Sequence, residues 1–131
     1  MTDQQHLRVL VVEDEAETAR MLASLVTGWG HTAVIAEDGA TALKTAGVFR
    51  PHVVLLDLSL PDQHGYAVAE RLRLDSPERR MLIAAVTGWG QIADVKASAA
   101  AGMTHHLVKP VNEKALERML ADYQADTARL D

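Results

Sequence analysis

Val53-Val54-Leu55-Leu56-Asp57-Leu58-Ser59-Leu60-Pro61-Asp62 opens on an unbroken apolar run and closes on turn-forming residues. A strand with one face in water alternates apolar and polar side chains. A continuous apolar run points instead to a strand covered on both faces, as in a parallel sheet. Leu7-Arg8-Val9-Leu10-Val11-Val12 and Met81 to Val86 read the same way. His31 to Ala36 and Thr104 to Val108 are more polar, which suits strands at the edges of that sheet.

Helical periods fill the gaps. Ala19, Leu22, Val26 and Trp29 recur at spacings of three and four, with Gly30 behind them as a C-cap. Asp38 can cap a second helix carrying Ala40 and Leu43. Val68, Ala69 and Leu72 mark a third, stopped before Pro77; Ile92, Val95 and Ala99 mark a fourth, ended by Gly102. Leu116, Met119, Leu120 and Tyr123 mark a fifth behind Asn112, and its period runs on through Thr127 and Leu130. Strand and helix thus alternate five times, which implies an α/β fold with a parallel sheet, helices on both faces and right-handed crossovers.

Composition narrows the function classes. The 131 residues suit one domain with a real core, and aromatics at 4% make that core aliphatic. A net charge of -5 argues against direct nucleic-acid binding, which favours a basic face. With no cysteine, disulfides, thiolate chemistry and cysteine zinc sites are excluded. Met1 to His6 lacks a signal-peptide core, and no apolar run approaches the ~20 residues that cross a bilayer. A cytoplasmic protein without membrane contact is expected.

In open sheets of this winding, ligands bind beyond the carboxyl ends of the strands, where strand order reverses. The first strand ends at Glu13-Asp14, the third at Asp57, the fourth at Thr87-Gly88 and the fifth at Lys109-Pro110. In a sheet of order 2-1-3-4-5 these ends open onto one region. Two carboxylates ~4 Å apart repel by ~4 kcal/mol at an effective dielectric near 20. Lys109 offsets part of that cost; a divalent cation would offset more, and oxygen-only ligands select Mg²⁺, Mn²⁺ or Ca²⁺ over zinc. Phosphoryl transfer uses the same parts, since charge develops on three equatorial oxygens and catalysis is positioning plus electrostatics. The metal, Lys109 and the Thr87 hydroxyl could take one oxygen each. Asp57, ending the most apolar strand, is the best candidate nucleophile.

Taken jointly, Val12-Glu13-Asp14-Glu15, Leu56-Asp57-Leu58-Ser59-Leu60-Pro61-Asp62, Val86-Thr87-Gly88 and Val108-Lys109-Pro110 resemble the receiver domain of response regulators, from about Leu7 to about Leu120. The resemblance implies a flavodoxin-like doubly wound sheet of five parallel strands, order 2-1-3-4-5, in two-component or phosphorelay signalling. It makes Asp57 the phosphoacceptor, Asp14 a direct Mg²⁺ (or Mn²⁺) ligand, Glu13 the holder of metal-bound water, and the Ser59 backbone carbonyl the last protein ligand. Thr87 and Lys109 would contact the phosphoryl group, and the Lys109–Pro110 bond would be cis. A histidine kinase or histidine phosphotransfer protein would donate from phosphohistidine. Phosphorylation would draw Thr87 inward and rearrange the face of the fourth helix, fifth strand and fifth helix, where a downstream protein or a second copy could dock.

Two positions depart from the family. Glu13 stands where Asp is commoner. His106 stands at the switch position, usually Tyr or Phe, which puts hydrogen bonding or titration in place of aromatic packing. The segments around Trp89 and His105-His106 resemble receivers attached to hybrid histidine kinases, so a module derived from such a protein is the alternative. Either way the chain reads as a single receiver domain, 1–131, with a core about 7–123, tails or a helix extension at 1–6 and 124–131, and no output domain after Tyr123. It would be no enzyme beyond its own phosphorylation and dephosphorylation.

Blander readings apply elsewhere. Arg8, Arg50, Arg71, Arg73, Arg79 and Arg80 read as a solvated rim; His6, His31, His52 and His64 form no metal pattern. Met21, Met81, Met103 and Met119 read as core filler, and Trp89 as a partly exposed loop residue near the site. An aspartyl-nucleophile phosphatase of the haloacid-dehalogenase type would want a second acid where Ser59 stands. A nucleotide or flavin domain would want a glycine-rich cradle where Glu13-Asp14-Glu15-Ala16-Glu17 stands. A docking domain that is never phosphorylated would have no use for the complete set of residues.

Overall fold

The computed structural model describes residues 6–77, 80–88 and 95–128, with backbone alone at 95–97 and 128. Its elements are β1 Arg8–Val12, α1 Ala16–Gly28, β2 Thr32–Ala36, α2 Gly39–Phe49, β3 Val53–Asp57, α3 Gly65–Asp75, β4 Leu82–Thr87, α4 Val95–Ala100, β5 His105–Val108 and α5 Glu113–Ala128. The strands form one parallel sheet in the order β2-β1-β3-β4-β5. The apolar run at Val53 is the central strand, with all five residues buried, and the more polar runs are the two edges.

Period-two alternation sends neighbouring side chains to opposite faces, and both faces are covered. Val9, Val11, Val53, Leu55, Ala84 and Val86 pack on one side with Leu22 and Val26 of α1 and Leu116 and Leu120 of α5. Leu10, Val12, Val54, Leu56, Ile83 and Ala85 pack on the other with Ala42 of α2 and Val68 and Leu72 of α3.

The helix ends follow local chemistry. The Thr41 amide donates to Asp38 at 2.7 Å, and the Ala115 amide to Asn112 at 3.0 Å. Past α1 the chain turns left-handed at Gly30, φ +96°, whose amide reaches the Thr27 carbonyl at 3.0 Å. Trp29 is the C-cap itself, partly buried against the core.

Some readings need correction. Met21 is 41% exposed on α1, whereas Met81, Met103 and Met119 are buried. Arg73 is no rim residue: its guanidinium is half-buried and donates to the Gly102 and Met81 carbonyls, joining α3 to the α4–β5 turn and the start of β4. Arg8 likewise donates to the Phe49 and Arg50 carbonyls at the end of α2. The expectations for Arg79, Trp89, Ile92 and Leu130 lie outside the described residues.

Candidate functional site: an acidic cluster at the strand ends

Three strand ends bring the reactive side chains together. Glu13 and Asp14 follow β1, and the Glu13 amide still donates to Ala36 of β2 at 3.0 Å. This carries the extended chain one residue further and turns Glu13 inward, to 2% exposure, while Asp14 stays exposed. Asp57 ends β3 at 4% exposure, its Oδ1 accepting the Ser59 amide at 2.9 Å in an Asx-type turn. Lys109 follows β5. Its amide donates to the Thr87 carbonyl at 2.8 Å, which fixes the end of β5 against β4, and the Lys109–Pro110 bond is cis, as the resemblance implies.

From there the Lys109 Nζ reaches Glu13 Oε1 at 2.7 Å and Asp57 Oδ2 at 3.3 Å. Glu13, Asp14 and Asp57 each present a carboxylate oxygen, and these oxygens lie within 4.8 Å of one another. Burial pushes the Glu13 carboxyl above its ordinary value; Lys109 and the Glu15 amide oppose the rise, and Asp57 adds to it. Burial acts against the Lys109 ammonium, but Glu13 and Asp57 outweigh it and its pKa is raised.

A divalent cation fits this donor set. The ligand oxygens of one Mg²⁺ stand ~3–4 Å apart, so a spread of 4.8 Å closes with a small shift or through a metal-bound water. The donors are hard oxygens, and among the described residues three carboxylates face a single ammonium, which leaves room for added positive charge.

Thr87, the buried last residue of β4, follows Val86, which pairs in register with Asp57. His106 pairs with Ala85 inside β5, and its Nε2 lies 2.5 Å from the Oγ of buried Ser98 in α4. The expected hydrogen bonding at this position is therefore present, with a partner the sequence reading did not name. Glu13 also holds the start of α1, since its Oε2 accepts the amide of the N-cap residue Glu15 at 3.1 Å.

Two features around Asp57 were not anticipated. Gly65 starts α3 so close to Asp57 that a Cβ there would lie 2.8 Å from both the Asp57 carbonyl oxygen and the Leu58 Cα. Asp62 accepts the Gly39 amide at 2.9 Å and the Ala40 amide at 3.0 Å. These two amides lie more than twenty residues away, so no local pattern announces them.

Comparison with known proteins gives the family and the fold. Residues 9–121 match the response regulator receiver domain, and the chain belongs to that family. The DNA-binding response regulator MtrA of Mycobacterium tuberculosis is 35% identical over 114 residues, 87% of this chain and 49% of that protein. The chain thus spans about half the length of the curated relatives it matches. Among solved structures, the Vibrio cholerae chemotaxis protein CheY4 is 26% identical, with a TM-score of 0.83 over 91% of this chain and 99% of that one. The receiver domain of Saccharomyces cerevisiae Ssk1, solved with the histidine phosphotransfer protein Ypd1, is 23% identical with a TM-score of 0.86 over 97% and 94%; that likeness concerns the fold. Relatives named as DNA-binding give no support to the expectation of no nucleic-acid contact, nor to descent from a hybrid kinase. Among the described residues, no helix is long and apolar enough to cross a membrane.

Proposed function

We propose that the chain acts as one receiver domain, taking a phosphoryl group onto Asp57 from a phosphohistidine of a kinase or phosphotransfer protein. One observation carries this reading: the Lys109 ammonium bridges Glu13 and Asp57 at 2.7 and 3.3 Å, from the end of an edge strand. Glu13, Asp14, Asp57 and the Ser59 carbonyl would hold Mg²⁺, or Mn²⁺, which supplies positive charge for the phosphoryl oxygens when bound. An Asp57 carboxylate oxygen forms the new O–P bond. The N–P bond to the donor breaks, and its electron pair stays on the leaving imidazole. Lys109 and the Thr87 hydroxyl take phosphoryl oxygens as they develop charge.

His106 serves the switch through a polar contact. Its bond to Ser98 ties β5 to α4, so movement of Thr87 on phosphorylation would reach the face of α4, β5 and α5 by straining that bond. A downstream protein or a second copy docks on that face.

The test is covalent labelling. The chain incubated with Mg²⁺ and acetyl phosphate should gain one phosphoryl group by intact mass, and Asp57→Asn should gain none. Undiminished labelling of Asp57→Asn would defeat the assignment. Steady turnover of a phosphate monoester would favour a phosphatase instead.

A further inference from the structure

Asp62 lies outside the acidic cluster, yet its carboxylate grips two amides on another element. Gly39, Ala40 and Thr41 open α2 with amides that have no partner inside the helix. Asp38 takes the Thr41 amide, while Asp62 takes the other two from the β3–α3 loop, one with each oxygen. Ala40 is exposed, so water could satisfy its amide, whereas Gly39 is buried and its amide depends on Asp62. The grip therefore ties the loop to the start of the helix.

The loop is built to transmit it. Its ends are closed by the Gly65 amide on the Leu58 carbonyl at 3.0 Å and by an antiparallel bridge between Ser59 and His64. The Gln63 side chain lies so near Gly39 that a Cβ there would sit 2.6 Å from it. Ser59 is held on its other side by the hydrogen bond that its amide donates to Asp57 Oδ1. A closed loop pinned at Asp62 fixes where the Ser59 carbonyl points. The Gly39 and Ala40 amides hold the Asp62 carboxyl below the usual carboxylate range, so the grip persists at neutral pH.

We infer that Asp62 is a positioning residue for the Mg²⁺ site, holding the Ser59 carbonyl in place through its two bonds to the start of α2. The inference rests on the receiver reading, in which that carbonyl is a ligand. Mg²⁺ demands near-ideal octahedral geometry, and loss of groups that orient ligands typically costs 10–100-fold in metal affinity.

Asp38→Ala is the internal control, because it removes a cap from the same helix without touching the loop. Mg²⁺ alone is titrated into wild type, Asp62→Ala, Asp62→Asn and Asp38→Ala by calorimetry, well below each melting temperature. Both alanine variants should melt a little lower than wild type. Only Asp62→Ala should lose affinity, by roughly tenfold, with Asp62→Asn in between because it keeps one acceptor oxygen. Wild-type affinity in Asp62→Ala, or an equal loss in Asp38→Ala, overturns the inference while leaving the site intact. A wild type that takes no Mg²⁺ removes the receiver reading, and the inference with it.

Discussion

Glu13, Asp57 and Lys109 hold one another in a balance that single substitutions should tip in opposite directions. Glu13 is buried, and its raised pKa means that folding disfavours its charged form. For an acid of this kind the native state binds the proton more tightly. Its contribution is most favourable below the ordinary value of 4.5 and is lost as pH rises through the folded value. At neutral pH without Mg²⁺, Glu13→Gln should therefore stabilise the fold, by about 1 kcal/mol. Lys109→Ala should do the reverse. It strips the cation that lies against Glu13 and Asp57, and the cost should be about 2 kcal/mol, below that of a fully buried pair because the lysine is 26% exposed. Urea unfolding of the two variants at pH 7 with chelator checks both signs. A Glu13→Gln protein less stable than wild type would show that the carboxylate is a net support of the fold.

Elements place these residues, and the way they do so explains what could be read in advance. The unbroken apolar run at Val53–Leu56 marks a strand buried on both faces, and parallel order then delivers Asp57, Glu13 and Lys109 to one end of the sheet. Side-chain chemistry at strand ends is legible because period and order determine where it goes. Arg73 and Asp62 were not legible because they bind backbone carbonyls and amides of distant segments, and main-chain partners leave no mark in sequence. Met21 shows the limit of periodicity, since a helix flank and its buried stripe differ by a single position. Gly65 was passed over for the same reason as Asp62: its role lies in a close approach between α3 and the end of β3. Gly65→Ala should push backbone against backbone, costing about 2 kcal/mol and slowing acetyl-phosphate labelling of Asp57. Labelling at the wild-type rate would mean that the loop yields without moving the aspartate. At the other end of the sheet, the Leu7 amide donates to His31 Nδ1 at 3.1 Å and the Arg8 amide to His52 Nδ1 at 2.9 Å, so two imidazoles cap the start of β1. Burial lowers the His31 pKa, with His6 adding to the effect. A lowered histidine favours the neutral form when folded. Its contribution is whole above the ordinary 6.5 and is lost as pH falls through the folded value. His31→Asn keeps an acceptor in place without a titrating ring, so the loss of melting temperature on acidification from pH 7 should be smaller than in wild type. Parallel pH profiles for the two proteins would rule out His31 as the source.

At the scale of the whole molecule, the cation site should couple to global stability rather than to a local loop. Its carboxylates come from the ends of β1 and β3, adjacent strands at the heart of the sheet, and its ammonium comes from beyond the edge strand β5. Unfolding any of these separates the carboxylates, so Mg²⁺ held there as proposed would favour the native chain and have little purchase on the unfolded one. A ligand of that kind stabilises by RT ln(1 + [L]/Kd), roughly 2.7 kcal/mol at a hundredfold excess over Kd. For a chain of this length that is a rise in melting temperature on the order of 10 °C. Plain salt screens the repulsion among Glu13, Asp14 and Asp57 as well, so each Mg²⁺ concentration needs a matched-ionic-strength NaCl series, and only the excess over NaCl counts. Asp57→Ala sharpens the test. Without Mg²⁺ it should melt above wild type, because a buried carboxylate has left a crowded acidic cluster; with Mg²⁺ its excess stabilisation should shrink towards zero, because a central ligand has left too. The two curves should therefore approach or cross as Mg²⁺ rises. Curves that stay parallel would place Mg²⁺ binding somewhere other than these strand ends.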